Sequence, residues 1–242
     1  MVRTPKAERL RQPLASLLRA TRSLLSEDEF DAKTSRRTFT FMMPDLVCDL
    51  IGPRLVLEIA NQAPGVKLLF TPWRGPAIAD EKGLAATDFI ITSVERPFQG
   101  FSPEQLYEDT DVVAVRTGHR AREKLSTRSS FSNAQHIAIV GSGELEDVSE
   151  PWLRSVGLVR QIALQVPTYL LALRIVSQTD LVAFVPRGLA RSMARSLKLT
   201  TVACPVDPGS DQMMLWTATR LAGDPAASWM RSRLRALFDN AD

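Results

Sequence analysis

An order of elements that occurs twice restricts the fold of this chain more than any single motif. In Arg37-Thr38-Phe39-Thr40-Phe41-Met42-Met43, the residues Phe39, Phe41 and Met43 share one side, a strand of period two. Pro44-Asp45 follows, and Leu46, Val47, Leu50, Ile51, Leu55 and Ile59 then recur at helical spacing until Pro64-Gly65 stops the helix. A second strand at 66–71, a turn or two of helix within 77–83 and an apolar strand behind Thr87-Asp88 complete the unit. Residues 135–185 repeat the order. A strand runs to Val140, followed by Gly141-Ser142-Gly143, a short helix within 146–156 and a strand at 160–166. An apolar helix at 168–177, with Thr168 as its N-cap, then leads to a strand that again opens on Thr-Asp, here Thr179-Asp180. Each half reads β, loop, α, β, α, β, although the two sequences barely match. Such a chain is predicted to be α/β, with two lobes whose strands end in loops suited to a small ligand.

The remaining segments fit around these units. Leu10, Leu14, Leu17 and Leu24, with Thr21 interrupting, step by four and three, which is a heptad seam; Pro13 starts or kinks that helix. An exposed leucine seam needs a cover, either the globular body or a second copy of the same helix. Residues 1–22 hold Arg3, Lys6, Arg9, Arg11, Arg19 and Arg22 against Glu8, a net of +5. The whole chain is +3, so the rest sums to −2. The basic character therefore belongs to the N-terminal segment, which is either a solvated helix face or a stretch lying near nucleic acid. Residues 26–35 read as a linker. The apolar runs 111–117 and 212–217 read as strands passing between the lobes, and an amphipathic helix at 225–238 returns to the first lobe. The expected division is 1–35 for the leading helix and linker, 36–114 with 218–242 for the first lobe, and 115–217 for the second. Cys48 and Cys204 are the only cysteines, which favours a reduced, cytoplasmic protein. No apolar run is long enough to span a membrane, and the N-terminus has no apolar signal core.

Catalytic chemistry finds no footing. His119 and His136 are the only histidines, and neither has a neighbour at zinc-ligand spacing. No phosphate-loop, dinucleotide-binding or nucleophile-elbow pattern occurs, and Ser142 has no base to activate it. The expectation is a protein that is not an enzyme and uses no metal or cofactor. Binding is better supported. Pro44-Asp45, Thr71-Pro72-Trp73, Thr92-Ser93, Gly141-Ser142-Gly143, Val166-Pro167-Thr168 and Pro186-Arg187 all fall at C-terminal ends of strands. Each alone reads equally well as a turn or cap. Together they predict a cleft between the lobes for a small polar or anionic molecule.

Val2-Arg3-Thr4-Pro5, the leucine-seamed helix and Arg36-Arg37-Thr38-Phe39 resemble LysR-type transcriptional regulators. The likeness continues at Pro53-Arg54-Leu55, Ala63-Pro64-Gly65-Val66, Arg116-Thr117-Gly118-His119 and the stretch from Thr179 to Arg187. It covers nearly the whole chain and is nearest in character to the nodulation- and salicylate-regulator branch. The resemblance implies two Rossmann-like lobes joined by two crossover strands, like a type II periplasmic binding protein, preceded by a linker helix. It implies an inducer-sensing and oligomerisation domain with a small aromatic or organic-acid effector in the interlobe cleft. The ligand positions it implies are Pro44, Asp45, Thr71, Trp73, Thr92, Ser93, Ser142, Gly143, Pro167, Thr168, Val185 and Pro186. The family often has Ser or Thr where Pro44 stands, so a carboxylate held in the usual way would lose both a hydroxyl and an N–H. The resemblance further implies a homodimer or homotetramer, with faces on the helices at 45–61 and 168–177. DNA would be bound only through a winged helix-turn-helix ending at Val2-Arg3-Thr4-Pro5. A solute-binding protein of transport is the alternative, opposed by the missing signal and by the basic leucine helix.

Overall fold

The computed structural model describes residues 6, 14–18, 21, 30–73, 75, 81–93, 98–141 and 145–239. Its strands are β1 Thr38–Met43, β2 Lys67–Pro72, β3 Phe89–Thr92, β4 Phe101–Asp109, β5 Asp111–Arg116, β6 Gln135–Ile139, β7 Gln161–Val166, β8 Val182–Pro186, β9 Leu199–Val202 and β10 Asp211–Ala218. The helices are α1 Asp45–Gln62, α2 Glu81–Ala86, α3 Arg128–Asn133, α4 Glu150–Ser155, α5 Tyr169–Val176, α6 Arg187–Leu197 and α7 Pro225–Asp239. Ahead of them, residues 14–18 are helical, with Leu14, Leu17 and Leu18 exposed, and the Thr21 hydroxyl donates back to the Leu17 carbonyl.

The strands form two five-stranded sheets, in the orders β2-β1-β3-β10-β4 and β7-β6-β8-β5-β9. The orders correspond position by position. Three parallel strands (β2-β1-β3 and β7-β6-β8) meet a fourth that runs antiparallel (β10 and β5), and an antiparallel edge strand follows. The repeat seen in the sequence is therefore a repeat of sheet topology, the two-lobed arrangement of a type II periplasmic binding protein. The repeated Thr-Asp pairs have a matching duty. Asp88, ahead of β3, binds Arg220, and Asp180, ahead of β8, binds Arg116. Each carboxylate ties the entry of its third parallel strand to a neighbouring segment. His119 adds to the second tie through the Asp180 carbonyl, 3.1 Å from its Nε2.

Two sequence expectations need correction, and one strand carries no sequence period. The run 101–109 is the strand β4. It pairs only with β10 and so lies at a sheet edge, where its polar side chains face water and Pro103 forfeits no ladder bond. The strands at 111–116 and 211–218 do not pass between lobes. β5 pairs with β8 and β9 in the second sheet, and β10 with β3 and β4 in the first. The chain instead crosses at Thr110 and between β9 and β10. Sheet membership thus puts 111–114 with the second lobe and 211–217 with the first, where the expected boundaries had them reversed.

The largest apolar core is continuous across the lobe junction. Val47, Ile51 and Leu55 of α1 belong to one cluster with Leu173 of α5 and Leu189 of α6. Polar contacts run along the same junction, including Ser192 Oγ to the Asp49 carboxylate at 3.2 Å. α7 returns to the first lobe as expected. Arg231 and Arg235 both reach Glu104 on β4, and Phe238 stacks on Tyr107 with centroids 4.5 Å apart. Gly65, after α1, has no room for a side chain, since a Cβ would lie 2.4 Å from the Ser35 carbonyl oxygen.

Candidate ligand-binding cleft

The C-terminal ends of the parallel strands of both sheets converge on one cavity of about 330 Å³. The first lobe contributes Pro44 after β1, Pro72 and Trp73 at the end of β2, and Thr92 and Ser93 at the end of β3. The second contributes Ile139 and Gly141 at the end of β6, Pro167 and Thr168 after β7, and Pro186 at the end of β8. This is where parallel α/β sheets place ligands, because helix starts and turn donors collect at those ends. The volume suits a small organic molecule.

Of the residues expected to bind, Pro44, Asp45, Trp73, Thr92, Ser93, Pro167, Thr168 and Pro186 line this cavity. Two expected residues do not. Thr71 donates its hydroxyl to the Phe41 carbonyl of β1 at 2.8 Å, so its neighbour Pro72 forms the wall instead. Val185 is fully buried and belongs to the apolar core. The residue pair Ser142 and Gly143 lies outside the described residues. Sequence reading missed the wall supplied by the crossings, namely Tyr107, Asp109, Thr110, Asp111, Asp211 and Met213. A signal was present. Asp111 heads the strand Val112-Val113-Ala114-Val115, and a carboxylate at the head of a core strand is costly unless it has work to do.

Two of the three helix starts at the cavity are already occupied by the protein's own groups, and the third carries an acid in its first turn. At α5, the Asp45 carboxylate accepts from Tyr169 N at 3.2 Å and Leu170 N at 2.8 Å, and Thr168 Oγ1 accepts from Leu171 N at 3.4 Å. Asp45 stands on the first lobe and α5 on the second, so this cap is also a latch between lobes. At α6, Arg187 N donates to the Thr110 carbonyl at 2.8 Å and Gly188 N to the Asp109 carboxylate at 2.9 Å. Gly188 permits that approach, since a Cβ there would lie 2.9 Å from the same oxygen. At α1, Pro44 brings neither N–H nor hydroxyl, and Asp45 puts its own negative charge in the first turn.

Asp111 is less well served. Burial raises the pKa of Asp111 to about 7, and Asp211, Asp147 and Asp109 add to the shift. No hydrogen bond reaches its carboxyl from the described residues. Asp211 sits opposite Asp109 in the β4–β10 pairing. Burial, with Asp109 adding to it, also raises the Tyr107 phenol, whose oxygen is enclosed without a hydrogen-bond partner. The described lining includes Asp45, Asp109, Asp111 and Asp211 but no Lys, Arg or His.

Between the end of β6 and the start of β7 lies a different charge cluster. Arg160, with a fully buried side chain, bonds Glu150 and lies 3.1 Å from Asp147. Asp147 in turn accepts from Ile139 N and from Ser149. His136 is buried nearby and donates from Nε2 to the Phe131 carbonyl; burial lowers its pKa to about 4, so it is neutral. Among the described residues no group of three or more His, Cys, Asp or Glu is placed to hold a metal ion. Cys48 and Cys204 are both free.

Residues 32–239 match the LysR substrate binding domain family. The transcriptional activator NahR of Pseudomonas putida is 28% identical over 97% of this chain and 79% of its own length. Nodulation protein D 1 of Bradyrhizobium japonicum is 28% identical over 96% of this chain and 72% of its own. Among solved structures, a probable transcriptional regulator of Pseudomonas aeruginosa superposes with a TM-score of 0.77 at 28% identity, covering 96% of this chain and 78% of that one. The regulatory domain of MexT, an activator from the same organism, shares the fold with a TM-score of 0.72 at 18% identity, covering 84% and 99%.

Proposed function

We propose that this chain, which belongs to the LysR substrate-binding-domain family, is the effector-sensing domain of a cytoplasmic DNA-binding transcriptional regulator and also its oligomerisation surface. The observation that carries the reading is the cavity built from strand ends of both sheets, with walls supplied by both crossings. A molecule held there touches both lobes, so it can favour one arrangement of the lobes over another. That differential contact is what a switch requires. The relatives named above are regulators, which argues against a transport solute-binding protein and against an enzyme.

A dimer is supported by apolar side chains left outside. Val56 and Leu57 on α1 are 50% and 67% exposed, and Leu171 on α5 is 42% exposed. These are the helices that span the lobe junction, so a partner seated on them would feel a change in lobe angle.

The test is thermal-shift screening against small aromatic amines, alcohols and acids. At least one compound raises the unfolding midpoint, and Trp73→Ala or Thr92→Val weakens its binding tenfold or more while circular dichroism is unchanged. A hit that both variants bind as tightly as the parent would remove the cleft from the reading. Light scattering checks the dimer, and Leu57→Asp is expected to give a monomer.

A further inference from the structure

We propose that the molecule this cleft takes is an organic cation, a protonated amine on an aromatic or aliphatic body, and not a carboxylate. The inference rests on the reading of the cavity as the effector site and names the chemistry that site selects. Three observations lead to it.

First, at two of the three helix starts the donors that would hold an anion are spent. The first-turn N–H groups of α5 go to Asp45 and Thr168, and those of Arg187 and Gly188 on α6 go to Thr110 and Asp109. An anion approaching the third helix start, at α1, meets the fixed charge of Asp45 within one turn.

Second, the cavity holds an acid with nothing to satisfy it. Asp111 is half-buried, lines the cavity and accepts no hydrogen bond from the described residues. Asp109 and Asp211 stand on the neighbouring crossings. An ionised carboxylate in such a place is costly without a counter-charge. An ammonium group supplies the charge and up to three donors. Arg160 pulls on Asp111 only as the smallest of its electrostatic influences, because its guanidinium is engaged with Glu150 and Asp147.

Third, the rest of the wall suits the body of such a ligand. Trp73, Tyr107, Pro44, Pro72 and Met213 present aromatic and apolar surface beside the acids. An indole face favours a neighbouring cation. A bare metal ion would use none of this surface, and no metal-binding group of acids is present among the described residues.

The experiment compares three probes of one shape, phenethylamine, 2-phenylethanol and phenylacetate, by isothermal titration against the parent chain, Asp111→Asn and Asp180→Asn. Asp180 is an exposed carboxylate at the far end of β8, so its variant controls for net charge. Phenethylamine is expected to bind at least tenfold more tightly than either other probe. Asp111→Asn should remove most of that preference, and Asp180→Asn should leave it intact. Binding of the amine should also tighten between pH 6 and pH 8 in the parent, as Asp111 ionises amid Asp109, Asp211, Asp147 and Arg160, and stay flat in Asp111→Asn.

If phenylacetate or the alcohol binds more tightly, and Trp73→Ala weakens it, the cleft remains an effector site and the cationic class is wrong. An amine preference that survives Asp111→Asn also overturns the proposal. If no probe binds, the cationic class falls, and the cleft reading is decided separately by the thermal-shift screen with Trp73→Ala and Thr92→Val.

Discussion

Two groups of acids, one at the start of β5 and one beside the end of β6, differ in one respect. Asp147 and Glu150 have a cation, Arg160, and Asp147 also takes backbone donors from Ile139 and Ser149. Asp111, with Asp109 and Asp211 beside it, accepts no hydrogen bond from the described residues and feels Arg160 only as a weaker, longer-range pull. The first group faces the interior of the second lobe and is closed structure. The second faces the cavity and is open. A charge held out of water is tolerated best when it is paired, so the unbonded carboxyl of half-buried Asp111 marks where a partner from outside would sit.

The largest test of this contrast removes the cation from the closed group. In Arg160→Met, Asp147, whose side chain is 4% exposed, stays buried with only its hydrogen bonds. The expected loss is about 3–5 kcal/mol in urea unfolding followed by circular dichroism. A loss below about 1 kcal/mol would mean that the pair is no better closed than Asp111 and would erase the contrast.

Neutralising the open group should do the reverse. The pKa of Asp111 is raised to about 7 when folded, above its unfolded value near 4. Its contribution to stability is therefore full below about pH 4 and is lost as pH rises through about 7. Asp111→Asn lacks this loss. It should match the parent at pH 4 and exceed it at pH 8 by on the order of 2–4 kcal/mol, read as the difference between two urea titrations. A variant less stable than its parent at pH 8 would show that Asp111 already has a partner.

The sequence revealed the closed parts of the molecule more readily than the open ones, for a physical reason. Phe39, Phe41, Met43 and the α1 series carry periods of two and 3.6 because each repeats one face against a core. Thr87-Asp88 and Thr179-Asp180 revealed the repeat because each caps the same step of the topology. β4 has an edge strand's composition, polar and with a proline, and an edge strand need not look like a strand. The cavity walls at Tyr107, Asp109, Asp111, Asp211 and Met213 were hidden because they come from the crossings, and which sheet a crossing joins depends on pairings over a hundred residues apart. Thr71 and Val185 share a limit of periodic reading. A position near a strand end can be recognised, but whether its side chain turns to the sheet or the cleft depends on one residue of register.

The smallest effect tests whether an occupied helix start or the acidic field does more to refuse anions. Asp45→Ala removes the acceptor for Tyr169 N and Leu170 N at the start of α5. The cost should be about 1 kcal/mol, in the range of a lost N-cap, because cleft water can reach the freed groups. It should also unlatch the lobes at this point and leave two donors facing the cavity at the positive end of a helix. If the occupied start is what excludes carboxylates, phenylacetate should bind Asp45→Ala measurably while the parent ignores it. If the variant loses the same stability and still refuses phenylacetate, the exclusion comes from Asp109, Asp111 and Asp211. The double variant Asp45→Ala with Asp111→Asn is then the form expected to accept the anion.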